Sequence, residues 1–127
     1  MTQRPQGRYK GTVLPPFSFL NRIWTGKVFE GYTVTNTIFG RQMIIGRVRV
    51  EEEPTDVYVN DVFEMTYVSQ VVRIYYMSGL VDTLRPCWRK KGRIMDTLSD
   101  EPFEGASEEW HGTMKLFGIT VHFVLEK

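Results

Sequence analysis

Ile119-Thr120-Val121-His122-Phe123-Val124-Leu125-Glu126 is the stretch that decides the fold. Every second side chain in it, beginning with that of Ile119, is apolar. Strict alternation with a period of two predicts a β-strand with one well-packed face. The other face carries a single imidazole, that of His122. This second face could contact water, the core or a ligand cavity. Both the fold and the function therefore depend on which of the three it contacts.

The rest of the chain has the same character, because short β-rich segments alternate with turn signals. We expect strands at 8–13, 27–29, 32–39, 43–51, 57–68, 71–77, 80–84, 93–98, 110–117 and 119–126. Ser78-Gly79 and Phe117-Gly118 predict tight hairpins, and Pro54 predicts a break between strands. Residues 17–24 have apolar side chains at helical spacing, so we expect one short N-terminal helix. The pattern predicts an all-β fold, either a sandwich or an antiparallel β-barrel, and alternation on both faces favours the barrel.

Length and composition predict one domain over residues 1–127. A chain of 127 residues with 42% hydrophobic side chains can bury a single core without disulfides or metals. Residues 1–7 are polar and contain Pro5 and Gly7, so we expect a flexible terminus. Residues 99–109 are expected to form an acidic loop over one end of the barrel.

Charge and cysteine content narrow the class of protein. Sixteen basic and 15 acidic side chains leave a net charge of +1, which argues against a general nucleic-acid binder. Cys87 is the only cysteine, which fits a reducing, cytoplasmic compartment. No signal peptide and no apolar run of roughly 20 residues is present, so we expect no membrane span. Cofactor motifs and Cys/His clusters at metal spacing are absent too, so we expect neither a cofactor nor a metal site.

Trp24 and Lys27 are the first candidate site residues. Trp24 stands two residues before Gly26, at the predicted junction of helix and strand. This arrangement resembles the entrance of lipocalin-like barrels, where a tryptophan plugs the closed end and a glycine lets chain segments approach closely. Lys27 is expected to lie over the Trp24 ring by a cation–π contact, and it is also a candidate for binding a ligand.

Asp82 and Arg85 form a second pair, at the end of a predicted strand. An aspartate–arginine ion pair is a common way to lock a loop. The alternative is functional: Arg85 would bind a carboxylate or an enolate while Asp82 acts as a base.

Polar side chains on strand faces form the third set. Glu64, Arg73, Asp96 and His122 each alternate with apolar residues, and Tyr75 shares the face of Arg73. On a sheet that faces water they would be ordinary surface groups. Inside a closed barrel a charged group must be paired, and a Glu–Arg or Asp–His pair there would be structural or would serve acid/base chemistry.

The stretches Trp24-Thr25-Gly26-Lys27-Val28-Phe29 and Asp82-Thr83-Leu84-Arg85, with Asn36 and Gly40 between them, resemble the small β-rich GXWXG-type domains. These domains carry a W-x-G-K-x-F stretch, a later D-E-[LI]-R stretch and a phenylalanine-rich final strand. The chain departs from the pattern before Trp24, where the leading glycine is absent, and at Thr83, where the family tends to have an acid. The resemblance implies a lipocalin-like barrel with an apolar cavity and no defined reaction.

We therefore expect a protein that binds a small hydrophobic molecule in a barrel cavity and catalyses a cofactor-free isomerisation, cyclisation or elimination by acid/base chemistry. His122, with Glu64 or Asp96, is the expected proton-transfer pair, and Arg85 or Lys27 is the expected anchor for an anion. The expected substrate-binding residues are Trp24, Lys27, Arg73, Tyr75, Asp82 and Arg85. One alternative is a carrier or sensor that leaves its ligand unchanged. Another is an interaction module whose exposed strand edge or turn at Trp88 recruits a protein partner. A homodimer is a further expectation, for which the sequence assigns no surface.

Overall fold

Nine strands form a single antiparallel sheet in the computed structural model, which describes residues 4–77 and 79–127. The strands are β1 (Gly7–Val13), β2 (Trp24–Glu30), β3 (Thr33–Ile38), β4 (Arg41–Val59), β5 (Val62–Tyr76), β6 (Val81–Lys90), β7 (Thr97–Ser99), β8 (Ser107–Leu116) and β9 (Ile119–Glu126). The expectation of an all-β protein is confirmed.

The sheet closes on itself into a ring. Its strand order is β5-β4-β3-β2-β1-β9-β8-β6-β7, and β5 also pairs with β6. The closing contact runs from the pair Val72 and Leu84 to the pair Tyr75 and Val81. Eight strands therefore make the ring, and β7 is attached to the outer part of β6. Closure turns one face of each ring strand inward, so alternation along a strand separates core from surface.

Inward-facing side chains fill much of the ring. The buried core consists of Tyr9, Val13, Phe29, Val34, Val48, Val72, Ile74, Tyr76, Leu84, Trp110, Val121, Phe123 and Leu125. In β9 the side chains of Val121, Phe123 and Leu125 are buried, as the alternation predicts, whereas that of Ile119 is half exposed at the start of the strand.

The short helix predicted over residues 17–24 is not shown. A five-residue 3-10 helix, Ser18–Arg22, takes its place, because Trp24 already begins β2. The Asn21 side chain ties this turn to β1, since it accepts from Val13 N at 2.6 Å and donates to Val13 O at 3.0 Å. In the described residues no helix is long and apolar enough to cross a membrane.

The structure corrects two loop assignments. Residues 1–3 of the predicted flexible terminus lie outside the described residues, but Pro5 is buried and Gly7 begins β1. The acidic loop expected at 99–109 is shorter than predicted, because Ser99 ends β7 and β8 begins at Ser107. Backbone pairing with β6 brings the last three residues of the predicted loop into the sheet.

Strand boundaries also differ from the prediction. Pro54 lies inside β4 opposite Val68, at a part of the strand whose other edge has no neighbour, so the missing proline N–H costs no ladder bond. The expected strand at 57–68 folds back at Asn60 and Asp61, both of which have positive φ. Of the strand expected at 93–98, only the end lies in β7.

One of the two predicted hairpins lies within the described residues, and the other does not lie wholly within them. Phe117 and Gly118 join β8 to β9 with positive φ, as predicted. The other predicted turn includes Ser78, which lies outside the described residues.

One part of the sheet extends beyond the ring. Residues 52–70, which we call the arm, pair only across their own hairpin, from Glu52 opposite Gln70 to Val59 opposite Val62. Strand β3 pairs with β4 only as far as Arg47, and β6 pairs with β5 only from Val72 onward. Among the residues that the structure describes, both edges of the arm therefore have no neighbouring strand.

Candidate functional site

A buried lysine is the centre of the candidate site. Lys27 lies on the inward face of β2 and is 2% exposed. Alternation along β2 turns it to the same side as the core residue Phe29. A charged side chain is almost never buried to this degree unless it is paired.

The Lys27 ammonium has three hydrogen-bond acceptors around it. Its Nζ donates to Asp82 Oδ2 at 2.7 Å, to Asn36 Oδ1 at 2.6 Å and to Tyr76 Oη at 2.8 Å. Three acceptors match the three N–H groups of an ammonium. The protonated form is therefore the one that these partners stabilise.

The acceptors are themselves held by further hydrogen bonds. Tyr76 Oη donates to Asp82 Oδ2 at 2.9 Å, and Asn36 Nδ2 donates to Tyr76 Oη at 3.1 Å. Trp24 Nε1 donates to Asn36 Oδ1 at 2.9 Å. We call Trp24, Lys27, Asn36, Tyr76 and Asp82 the polar cluster.

The polar cluster spans the interior of the ring. Strand β6, which carries Asp82, is four steps from β2 in either direction around the eight-strand ring. The ion pair between Lys27 and Asp82 therefore joins opposite walls, and its partners Asn36 and Tyr76 come from β3 and β5.

An apolar cavity of about 270 Å³ opens beside the polar cluster. All five cluster residues contribute to its wall. Apolar side chains form the remainder, among them Leu20, Ile38, Leu80, Met114, Val121 and Phe123. The surface of the cavity is thus almost wholly apolar, and the polar groups of the cluster lie beside it, bonded largely to one another.

Two glycines let the chain close tightly around this end. A Cβ at Gly11 would lie 2.3 Å from the Trp24 ring, and a Cβ at Gly26 would lie 2.1 Å from Tyr9 O. The role expected for Gly26, a close approach of two chain segments, matches this contact. Trp24 also packs edge-on against Phe123, with ring centroids 5.2 Å apart.

Burial changes the proton affinities in the cluster. It lowers the pKa of Lys27, and the negative charge of Asp82 works against that shift. It also raises the pKa of Tyr76, to which the charge of Asp82 adds. Tyr76 therefore stays a neutral phenol, and its hydroxyl group donates a hydrogen bond to the Asp82 carboxylate.

One oxygen of the cluster has no partner. Asp82 Oδ2 accepts from Lys27 and Tyr76, whereas Asp82 Oδ1 is buried without a hydrogen-bond donor among the described residues. An unsatisfied buried acceptor costs about 1–3 kcal/mol, and more when it is charged. A donor group brought into the cavity would have most to gain at Asp82 Oδ1.

The structure brings together three of the residues predicted for the site. Trp24, Lys27 and Asp82 all belong to the polar cluster, and the Lys27 Nζ lies 5.5 Å from the Trp24 ring centroid, as expected for a cation–π contact. The expected ion pair between Asp82 and Arg85 is not formed, because residues three apart in a strand face opposite sides. Asp82 pairs with Lys27 instead, and exposed Arg85 pairs with Glu53.

The predicted proton-transfer residues lie outside this cavity. His122 is exposed on β9 because its neighbours Val121 and Phe123 occupy the inward face. Glu64 is exposed on the arm. Asp96 accepts from Arg89 Nη1 at 2.9 Å near the β6–β7 turn. The structure does not bring His122 together with either carboxylate.

Arg73 and Tyr75 also face away from the cavity. Both side chains contact Glu51, Tyr75 through a hydrogen bond of 2.5 Å. The inward residues of β5 are the alternate ones, Ile74 and Tyr76. The prediction therefore chose the wrong face of this strand.

Sequence reasoning missed two members of the cluster as site residues, Asn36 and Tyr76. Asn36 lies directly opposite Lys27 in the β2–β3 pairing, so the two residues share a face. A register for the Glu30–Gly31 hairpin would have placed them together from sequence. For Tyr76 no such local signal exists, because β5 meets β2 only across the interior of the ring.

Comparisons with protein-family models, with curated proteins and with solved structures each found no match. The similarity to the GXWXG-type domains therefore stays a prediction. In the described residues, no group of three or more His, Cys, Asp or Glu side chains is placed to hold a metal ion.

The first prediction concerns the buried ion pair. Substituting Lys27→Met should lower the free energy of unfolding by about 3–5 kcal/mol, because Asp82 keeps its buried charge without a counter-charge. The exposed Lys115→Met should change it by less than about 0.5 kcal/mol. Urea unfolding curves measure both. A Lys27→Met variant no less stable than Lys115→Met would contradict this account of the cluster.

The second prediction concerns alkaline pH. Above about pH 10, Tyr76 loses its proton in the unfolded chain but keeps it in the folded protein, whose Tyr76 pKa is raised. The unfolded state then binds fewer protons, so stability falls as the pH rises. Between about pH 10.5 and 11.5, the wild-type free energy of unfolding should fall more steeply than that of Tyr76→Phe, by about 1.4 kcal/mol per pH unit.

Guanidinium unfolding at several pH values measures these slopes. Tyr58→Phe, on the exposed part of the arm, is the matched control and should run parallel to the wild type. Equal slopes of unfolding free energy against pH for the wild type and Tyr76→Phe would contradict the prediction. The Tyr76 hydroxyl would then have the same pKa in the folded and the unfolded protein.

Proposed function

We propose that the ring is a lipocalin-like β-barrel that binds one small, neutral, mainly apolar molecule in the cavity beside the polar cluster. Eight-stranded barrels have an interior that side chains fill or that holds one small ligand. The cavity of about 270 Å³ lies just below the common range for ligand sites, about 300–1,000 Å³. A ligand of one or two fused rings suits this volume.

Asp82 Oδ1 is the observation that carries the proposal. It is a buried acceptor without a donor among the described residues, and Asp82 lines the cavity. A ligand hydroxyl or N–H group would donate to it while the apolar body of the ligand packs against Val121, Phe123 and Leu80. The ligand class is therefore an apolar molecule with one hydrogen-bond donor.

Charge favours a neutral ligand over an anion. The charges of Lys27 and Asp82 already balance within the pair, and the three acceptors around Lys27 Nζ use all its N–H groups. A ligand carboxylate would add a second, unpaired negative charge beside Asp82, at high cost in an apolar cavity. This replaces the expectation that Lys27 or Arg85 anchors an anion.

A second candidate function is acid/base catalysis of the cofactor-free kind expected from the sequence, an isomerisation, cyclisation or elimination. It is favoured by the same carboxylate, since a base needs an oxygen that no donor already occupies, and Asp82 Oδ1 has no donor among the described residues. The catalytic residue is then Asp82, with Lys27 and Tyr76 positioning it, in place of His122, Glu64 and Asp96. A carrier that leaves its ligand unchanged needs no such step.

Binding can be tested with three probes of similar shape. Isothermal titration should show that 2-naphthol, which donates one hydrogen bond, binds more tightly than naphthalene by about 1–3 kcal/mol. The anion 2-naphthoate should bind most weakly of the three. Equal affinity for 2-naphthol and naphthalene would remove Asp82 Oδ1 from the proposed site.

Matched tryptophan substitutions separate the cavity from the rest of the surface. Leu80→Trp should fill the cavity and abolish 2-naphthol binding, whereas Leu98→Trp, at an exposed position outside it, should leave binding unchanged. Loss of binding in both variants, or in neither, would place the probe elsewhere.

The catalytic candidate has its own test. In D₂O, Asp82 Oδ1 should take a proton from the α-carbon of the neutral ketone 2-tetralone, and return of a deuteron from solvent should label that carbon. NMR should then show exchange faster than in buffer, and Leu80→Trp should remove the acceleration. Exchange no faster than in buffer, for a ketone shown by titration to bind, would leave the protein a carrier.

A further inference from the structure

Two projections leave the ring at the same end. One is the arm, and the other is the turn between β6 and β7. Strand β5 enters the ring from the arm, and its antiparallel neighbour β6 runs back toward that end, so Lys90 at the end of β6 lies on the arm side. A groove of about 660 Å³ lies between the arm and the outside of β6, lined by Glu53, Thr55 and Tyr67 of the arm and by Arg85, Pro86 and Asp100 opposite.

The arm is both acidic and apolar. Between residues 52 and 70 it carries five acidic side chains and no lysine, arginine or histidine: Glu52, Glu53, Asp56, Asp61 and Glu64. Seven large apolar side chains there are 47–61% exposed: Tyr58, Val59, Val62, Phe63, Met65, Tyr67 and Val68. A two-stranded hairpin with such a surface and two free edges is marginally stable in water alone.

The turn has the complementary composition. Residues 89–93 contain four basic side chains and no acidic one: Arg89, Lys90, Lys91 and Arg93. The next residues add exposed apolar side chains, with Ile94 97%, Met95 78% and Leu98 55% exposed. We call residues 89–98 the basic turn.

The two projections of one molecule do not cover each other. Among the described residues, Glu53 with Arg85 is the ion pair that joins the arm to β6, and it lies at the base of the groove. Ile94 and the apolar residues of the arm remain exposed. Complementary surfaces that both remain open on one molecule can be covered together when two copies meet.

We propose that this end of the protein is a homodimer interface, in which the arm of each copy docks on the basic turn of the other. A two-fold axis makes both contacts equivalent, because in such an interface each copy contributes the same pair of surfaces. Apolar contact between the arm and Ile94, Met95 and Leu98 supplies the affinity, and the charges set the orientation. The chemistry that recognises the arm, basic and apolar, is thus present in the chain itself.

Charge exchange tests this arrangement. The arm variant Asp56→Lys/Asp61→Lys/Glu64→Lys leaves two acidic against three basic side chains in the arm, so both projections are basic. The turn variant Lys91→Glu/Arg93→Glu leaves two basic against three acidic side chains in residues 89–98, so both projections are acidic. By sedimentation velocity the wild type should dimerise, more weakly as salt rises, and each variant alone should dimerise about tenfold or more weakly. An equimolar mixture of the two variants should form a heterodimer, since each arm then meets a turn of opposite charge.

A matched control excludes general attraction between oppositely charged proteins. Lys10→Glu/Lys115→Glu changes the net charge as the turn variant does, at exposed positions outside both projections. It should dimerise like the wild type, and mixing it with the arm variant should give no more heterodimer than mixing the wild type with that variant. Circular dichroism confirms that each variant is folded.

Three outcomes would overturn the proposal. The first is a wild type that stays monomeric at all concentrations and salt levels. The second is a dimer that both charge variants leave intact. The third is an arm variant and a turn variant that fail to associate when mixed. A monomeric wild type that instead binds an unrelated basic protein through the arm would assign the arm to a different partner.

Discussion

The structure depends on one buried ion pair, that of Lys27 with Asp82. Each group would be costly inside an apolar ring without the other, because burial favours the neutral form of both. Together with Asn36 and Tyr76 they satisfy all three N–H groups of the lysine. Since β2 and β6 lie opposite each other in the ring, this pair fixes the distance between the two walls. Apolar packing alone does not specify that distance, because it is non-directional.

The cavity follows from the same constraint. Directional hydrogen bonds hold the cluster residues in one arrangement, and the apolar side chains around them leave a cavity beside it. Gly11 and Gly26 allow the Trp24 side to pack closely, so space remains toward Leu80 and Met114. Asp82 Oδ1, which has no donor in the described part of the chain, marks the place where this arrangement is incomplete. Ligand binding would complete it.

At the opposite end of the ring, the structure is shaped by the free strand edges of the arm. Closure of the sheet removes edges from the eight ring strands, but β4 and β5 continue beyond the last strand that pairs with them. The arm therefore restores the free edges and exposed apolar surface that closure avoids elsewhere. Its acidic side chains repel the arm of a second copy, whereas the basic turn beside it carries the opposite charge. We therefore propose a separate task for each end of the molecule: binding a small molecule at one and contacting a second copy at the other.

Local pattern in the chain was enough to predict an all-β fold, most of its strands, and the contact between Trp24 and Lys27, because alternation and short spacing are local properties. It also indicated Asp82, but not its partner. The sequence did not determine whether Arg73, Tyr75 and His122 face inward or outward. Alternation shows that a strand has two faces but not which of them is inside. Closure of the ring through β5 and β6 decided that, because it turned Ile74, Tyr76 and Asp82 inward. Contacts between strands far apart in the chain, such as Lys27 with Tyr76 and Asp82, exist only after that closure, so the polar cluster belongs to the tertiary structure.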